Sequence, residues 1–506
     1  MIQGRKPKGE DRHSGGDALA RGKTSIRVVV VCFMLSVLLL LVLVFVPSDR
    51  TEPGVLIVLL GMVLVTALAL KSRMESPDYF EIIYPISFLY FLSFFYRGVV
   101  LIANPADLNP FVNGFSAINK ALGFGLLGLI SMWLGYYCLS SKPGRHITAL
   151  VNWFLPDEWR ANKAIIRILF LFIAGLSLQI IGIFSAMGQA SNAGVSSGSV
   201  SSFFGLFAYL SNISLVLFSL FIFRRRASEG NMILVLMVWC GMLSSQVLVA
   251  LITGARGSVL ITLFIIPAIS YNYARKHLSM KWLAVYALIM LVILLVVIMP
   301  LQGPFRQARI FYSSGSFSEY LRTVRQVSYK RTLGDQLSEF SQRQIILENF
   351  AISISKTPSI IPFKNGGTLL STLSNFIPRS IWRKRVAYSL DRVFSTEYAG
   401  WSENSKGATG VTNIGELYIN FGITGIVIGM FVLGLLYRTV YKNLIGIQAV
   451  GDLRILVYYS FLMCFTWIEG SLGYLFFNLI LETIVLIAVL LLLRINVRIR
   501  EQPNYS

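Results

Sequence analysis

Arginines and one carboxylate, set among apolar runs, are the residues of this 506-residue chain best able to do chemistry. Thr253-Gly254-Ala255-Arg256-Gly257-Ser258 is a glycine-flanked turn between two such runs. Glycine lets a backbone turn tightly and approach a ligand, so Arg256 is held at a fixed point. Arg97 sits in an earlier apolar run. Arg306 and Arg309 are three apart and share a face if that segment is helical. Arg379 opens the basic run that ends at Arg383-Lys384-Arg385. Guanidinium keeps its charge and grips phosphate through two parallel hydrogen bonds, so a pyrophosphate is a natural ligand for this set. The stretch Gly410 to Gly422 adds Glu416, Tyr418 and Asn420. On a helix Glu416 and Asn420 are i,i+4 neighbours. A carboxylate beside amide and phenol groups suits sugar hydroxyls, and it can serve as a general base. Each feature also has a plainer reading. Arg256 can snorkel to lipid phosphates, Arg97 can anchor a helix at the interface, the basic segments can attach to anionic lipid, and the Glu416 group can be a buried polar cluster that packs helices.

The elements that must position these residues follow from composition. The chain is 55% hydrophobic and only 14% charged, against about 25% charged in soluble domains. Apolar runs long enough to cross a bilayer recur at 28–46, 54–70, 82–102, 118–139, 165–184, 203–223, 232–252, 258–273, 282–300, 417–437, 454–468 and 473–493. Spans in lipid must be helical, because backbone groups there bond within their own segment. The fold class is therefore all-α, a polytopic integral membrane protein of about twelve spans. Alternate connections are rich in Lys and Arg, from the N-terminal tail through Arg224-Arg225-Arg226 to Arg494 and Arg498, whereas the other short ones hold only Arg50, Lys120 and Arg256. Positive loops face the cytoplasm, which places both termini there.

The expected organisation is a basic cytoplasmic tail (1–27), spans one to nine (28–300), a large outer segment (301–416), spans ten to twelve (417–493) and a second tail (494–506). The outer segment holds fifteen Lys and Arg against seven Asp and Glu before Glu416. Loops longer than about 60 residues escape the topology rule, so its charge does not reverse the orientation. Short helices are expected within it at 317–331 and 335–355, the latter from a partial stripe of Leu337, Phe340, Ile345, Ile346 and Phe350.

Several function classes are excluded or made remote. The net charge of +21 is dispersed between apolar runs, which is membrane topology and not a nucleic-acid footprint. Cys32, Cys138, Cys240 and Cys464 lie inside apolar runs and make no CxxC pair, so no disulfide framework or zinc site is expected. The first apolar run reads as a retained span, not a removed signal peptide. No Walker A loop, HExxH or clustered acidic metal site is present, and no metal or cofactor is expected. The three histidines, His13, His146 and His277, all fall on the cytoplasmic side of this topology, which removes an outward histidine base.

GARGS at a short outer turn, IPRSIWRKR in a long outer segment and TNIGELYINFGITG at the start of a late span resemble the O-antigen polymerase (Wzy-type) family, the oligosaccharide repeat unit polymerases. The likeness covers most of the chain, and GELY–NFG is its most specific part. It implies a GT-C-like, metal-independent glycosyltransferase in the bacterial cytoplasmic (inner) membrane with its active site facing the periplasm. Such an enzyme transfers a growing glycan from undecaprenyl pyrophosphate to the non-reducing end of a new lipid-linked repeat. Donor, acceptor and membrane lipids are the implied partners, with a chain-length regulator as a further one. By motif, Arg256 and Glu416 carry the catalytic expectation. Arg97, Arg309, Arg379, Tyr418 and Asn420 carry that of substrate and pyrophosphate binding, and Arg306 joins them through its spacing to Arg309. A lipid-linked oligosaccharide flippase and an O-antigen ligase are the alternatives; the ligase is expected to need the outer histidine that this chain lacks.

Overall fold

A computed structural model describes residues 54–63 in part, 78–112, 114–138, 161–189, 198–224, 232–253, 256–274, 280–293, 298, 304–305, 317–328, 345–373, 389–403, 409–445 and 452–498. Every regular element among these residues is helical. Among the described residues, seven helices are long and apolar enough to cross a membrane, and three shorter apolar helices accompany them. The expected span 28–46 lies outside the described residues.

In chain order the rods are α1 (Ile83–Ala103), α2 (Gly114–Cys138), α3 (Ala161–Gln189), α4 (Gly198–Arg224), α5 (Met232–Thr253), α6 (Gly257–Ala274) and α7 (Met280–Ile293). Then come the short helices α8 (Phe317–Ser328), α9 (Ile346–Lys356), α10 (Gly367–Leu373) and α11 (Leu390–Val393). The chain closes with α12 (Asn413–Leu444), α13 (Asp452–Phe465) and α14 (Leu472–Arg498). The apolar runs form these rods because each buries its backbone bonds internally. α3, α5 and α7 leave large apolar side chains exposed, among them Ile166, Phe170, Ile233, Met237, Trp282 and Leu288. Such continuous apolar surface is what lipid contact requires.

The core is built on α2 against α12. A side chain at Gly135 would meet the Phe431 carbonyl oxygen at 2.0 Å, and one at Gly434 would meet that of Met132 at 2.0 Å. Small residues at a crossing bring two backbones close, which is how membrane helices associate without a hydrophobic driving force. One end of this core is locked by polar groups. Asp78 accepts from Asn272 at 2.9 Å, Tyr273 at 2.5 Å and Tyr441 at 3.2 Å. Beside it Arg438 pairs with Glu81 at 2.7 Å. The helices α9, α10 and α11 gather at the opposite end.

Two expectations are corrected in detail. The tenth span, expected as one helix from 417, begins at Asn413 and is broken at Gly422, whose φ of 63° and ψ of −148° are not helical. A side chain at Gly425 would strike the Leu417 carbonyl oxygen, and one at Gly429 the Leu417 side chain. Those positions are eight and twelve residues on, about 12 and 18 Å away along a straight helix. The first turns therefore fold back against the rest of α12. The helix expected at 335–355 is seen as Ile346–Lys356; residues 329–344 lie outside the described ones.

Candidate functional site

The folded-back turns of α12, Asn413 to Phe421, are held from every side. Thr412 caps them, its hydroxyl accepting from the Gly415 N–H at 2.9 Å. It does so at φ 72°, a strained conformation for a β-branched residue, which persists only where the surroundings over-determine it. The Thr412 and Asn413 N–H groups donate to the Glu469 and Ile468 carbonyls in the α13–α14 connection, at 3.1 and 3.2 Å. Asn349 of α9 donates to Thr409 at 2.7 Å and to the Gly410 carbonyl at 2.8 Å. The Val411 N–H donates to Asp391 of α11 at 3.4 Å. Burial pushes the Asp391 carboxyl above the ordinary carboxylate range, offset in part by that N–H.

The break at Gly422 has a definite use. It strips the Ile419 and Asn420 carbonyls of their helical partners, and the loop before α10 supplies replacements. Lys364 N–H donates to the Ile419 carbonyl at 3.0 Å and Asn365 N–H to that of Asn420 at 3.2 Å. Non-helical backbone at membrane depth is tolerated where freed groups are satisfied in this way.

Glu416 is 0% exposed. One carboxylate oxygen accepts from the Thr368 hydroxyl at 2.7 Å, the other from the Gly473 N–H at 3.3 Å, beside the N–H of Leu472. A helix begins with unsatisfied N–H groups and a partial positive charge, and Glu416 answers both for α14. Asn420 donates to Thr368 at 2.6 Å and to the Glu416 carbonyl at 2.8 Å, and its side-chain oxygen accepts from the Gly366 N–H at 2.9 Å. The expected i,i+4 neighbours thus join through Thr368, which donates to one and accepts from the other. Tyr418 is buried; its hydroxyl donates to the Thr357 carbonyl at 3.2 Å, and its ring packs against Phe124, Phe350 and Phe363.

Arg97 is 2% exposed and follows a π-helical turn, Phe91–Tyr96, in α1. Its Nε and Nη2 donate to one oxygen of Glu348 in α9 at 2.9 and 2.5 Å. Burial raises the Glu348 carboxyl against the lowering effect of that guanidinium. The pair ties α9 to α1.

Arg256 is described as the first residue of a helical turn leading into α6. Arg306, Arg309 and Arg379 lie outside the described residues. Tyr320 of α8 is fully buried, with its hydroxyl 3.2 Å from the Ile252 carbonyl and 3.1 Å from that of Phe305. Ile252 lies just ahead of the Arg256 turn, and Phe305 precedes Arg306. One hydroxyl therefore brings the end of α5 and the Phe305 backbone together.

Glu348, Thr368, Asn349, Asp391 and Gly473 were not singled out from the sequence. For Glu348 a signal existed: it is the lone acid in the apolar stretch Ile345 to Ile354, where a charge needs a buried partner. Thr368 and Gly473 carry no such signal. Among known proteins, a model of the O-antigen polysaccharide polymerase Wzy family matches residues 26–501. No curated protein and no solved structure matches.

Proposed function

This chain belongs to the O-antigen polysaccharide polymerase Wzy family, and from that premise we propose that it extends lipid-linked glycan at the outer face of the cytoplasmic membrane. In the proposed step an acceptor sugar hydroxyl attacks the anomeric carbon of the donor's first sugar. The bond from that carbon to undecaprenyl pyrophosphate breaks, the pyrophosphate carries the electron pair away, and the hydroxyl proton passes to a base. Charge develops on the leaving pyrophosphate, so fixed cations aimed there lower the barrier.

The observation that carries the site assignment is the Tyr320 contact. It places the Phe305 backbone beside the end of α5, which favours Arg256, Arg306 and Arg309 acting on one anion. Arg379 is proposed as a further contributor. The basic excess of 301–416 would draw anionic lipid-linked substrates to this end. Arg97 enters through its pair with Glu348, which ties α9 to α1.

Glu416, Asn420 and Tyr418 are proposed to set the shape of the acceptor side. Both Glu416 oxygens already accept hydrogen bonds, which supports a positioning role. For Glu416 to act as general base, the acceptor hydroxyl would have to displace Thr368. Deleting the gene tests the reading as a whole: single repeat units should remain on the surface carrier while a ligase still works. Normal long chains in the deletion strain would overturn it, and loss of single repeats as well would point to a ligase.

A further inference from the structure

The connection from α13 to α14 has two faces. One is pinned to the α12 turns by the Thr412, Asn413 and Glu416 bonds. The other lines a cavity of about 180 Å³ between α4, α6, α13 and α14. We propose that this cavity is a subsite for one sugar ring of the lipid-linked glycan, with Glu482 as the hydroxyl acceptor at its base. The proposal rests on the polymerase reading.

The apolar walls of the cavity carry a set of polar groups that a lipid tail would leave unused. Trp467 and Tyr474 stand at the connection, 50% and 41% exposed, with ring centroids 5.3 Å apart and planes at 90°. Exposed aromatic faces of this kind pack on the C–H face of a sugar. Below them are Asn212 and Asn478, whose amides make no hydrogen bond to protein among the described residues. Deeper still is Glu482, ten residues along α14 from Leu472 and so about 15 Å down that helix. One Glu482 oxygen accepts from the Cys464 thiol at 3.0 Å, a weak donor; the other has no protein partner among the described residues. A carboxylate inside a membrane helix is costly, and it marks a substrate or ion pathway when it faces a cavity. Two free amides, a half-free carboxylate and an aromatic pair are together the groups that recognise a ring of hydroxyls. The volume is below the roughly 300–1,000 Å³ of sites for larger ligands, which limits the occupant to a single ring.

The test uses the purified full-length chain in proteoliposomes, with lipid-linked repeat extracted from the deletion strain as the probe. Glu482→Gln and Asn478→Ala should each raise the half-saturating repeat concentration about tenfold, with turnover at saturation little changed, as loss of a bond made equally in ground and transition states requires. The repeat should raise the melting temperature of the wild-type chain more than that of Glu482→Gln. Polyprenyl pyrophosphate without sugars should raise both equally. Unchanged half-saturation together with equal stabilisation by the repeat overturns the subsite. So does a Glu482-dependent stabilisation by sodium ions alone, which would mark a cation site. If Glu482→Gln fails to fold, Trp467→Phe and Asn478→Ala carry the same comparison. A wild-type chain that makes no polymer, yet loses its sugar-dependent stabilisation in Glu482→Gln, would sink the polymerase reading and leave the subsite standing.

Discussion

The carboxylate of Glu416 accepts the backbone N–H of Gly473, so the first turns of α12 fix where α14 begins. The same carboxylate holds Thr368 at 2.7 Å. Glu416→Ala should abolish chain extension and leave buried partners unsatisfied, at about 1–3 kcal/mol each. Glu416→Gln keeps an acceptor for Thr368, so it should retain measurable extension with an unshifted pH–rate profile. A folded Gln variant as inactive as the Ala variant would instead make Glu416 the proton acceptor.

Arg97 and Glu348 form a buried ion pair, and breaking one side strands the other charge. Arg97→Ala or Glu348→Ala alone should cost about 3–5 kcal/mol. The double change to methionines should cost less than either single one. Thermal unfolding in detergent reads the difference; additive losses would show that the two residues do not act as a pair.

Tyr320→Phe removes the hydroxyl between Ile252 and Phe305 while keeping the ring. The stability loss should be about 1 kcal/mol. If the arginine segments share one anion, half-saturation for lipid-linked repeat should rise, and little more should be lost when Arg256→Lys is added. Lysine keeps the charge of Arg256 without its planar fork, so that variant alone should also bind repeat more weakly. Independent, fully additive effects would separate the two segments.

Gly422→Ala should lose extension through the backbone. The residue sits at φ 63°, in a region that essentially only glycine adopts, costing on the order of 1–3 kcal/mol for others. A Cβ there would also lie 3.2 Å from the Phe363 ring. A fully active alanine variant would mean that the break is not needed.

Asp391 gives the stability of the fold a pH dependence. Burial raises its carboxyl above the ordinary value, so the folded chain binds this proton more tightly than the unfolded one. Its contribution is therefore most favourable at low pH and is lost as pH rises through the raised value. Asp391→Asn should flatten that part of the profile while leaving an acceptor for the Val411 N–H. Melting temperature followed from acid to neutral pH checks this; an unchanged slope in the variant would rule Asp391 out as the cause.

The sequence by itself determined most of the described rods. Runs such as 82–102 and 232–252 match Ile83–Ala103 and Met232–Thr253 closely, because an apolar stretch of span length has one way to satisfy its backbone in lipid. Spacing also put Glu416 and Asn420 on adjacent turns. Only the tertiary structure decided what those residues touch. Arg97 and Glu348 are 251 positions apart, and Thr368 and Glu416 are 48 apart. Helical periodicity assigns a side chain to a face, but it does not say which distant face packs there. Gly422 reads in sequence as one more glycine in an apolar run. It becomes a break because the loop before α10 arrives with N–H groups for the carbonyls it frees, and because Phe363 fills the space a side chain would need.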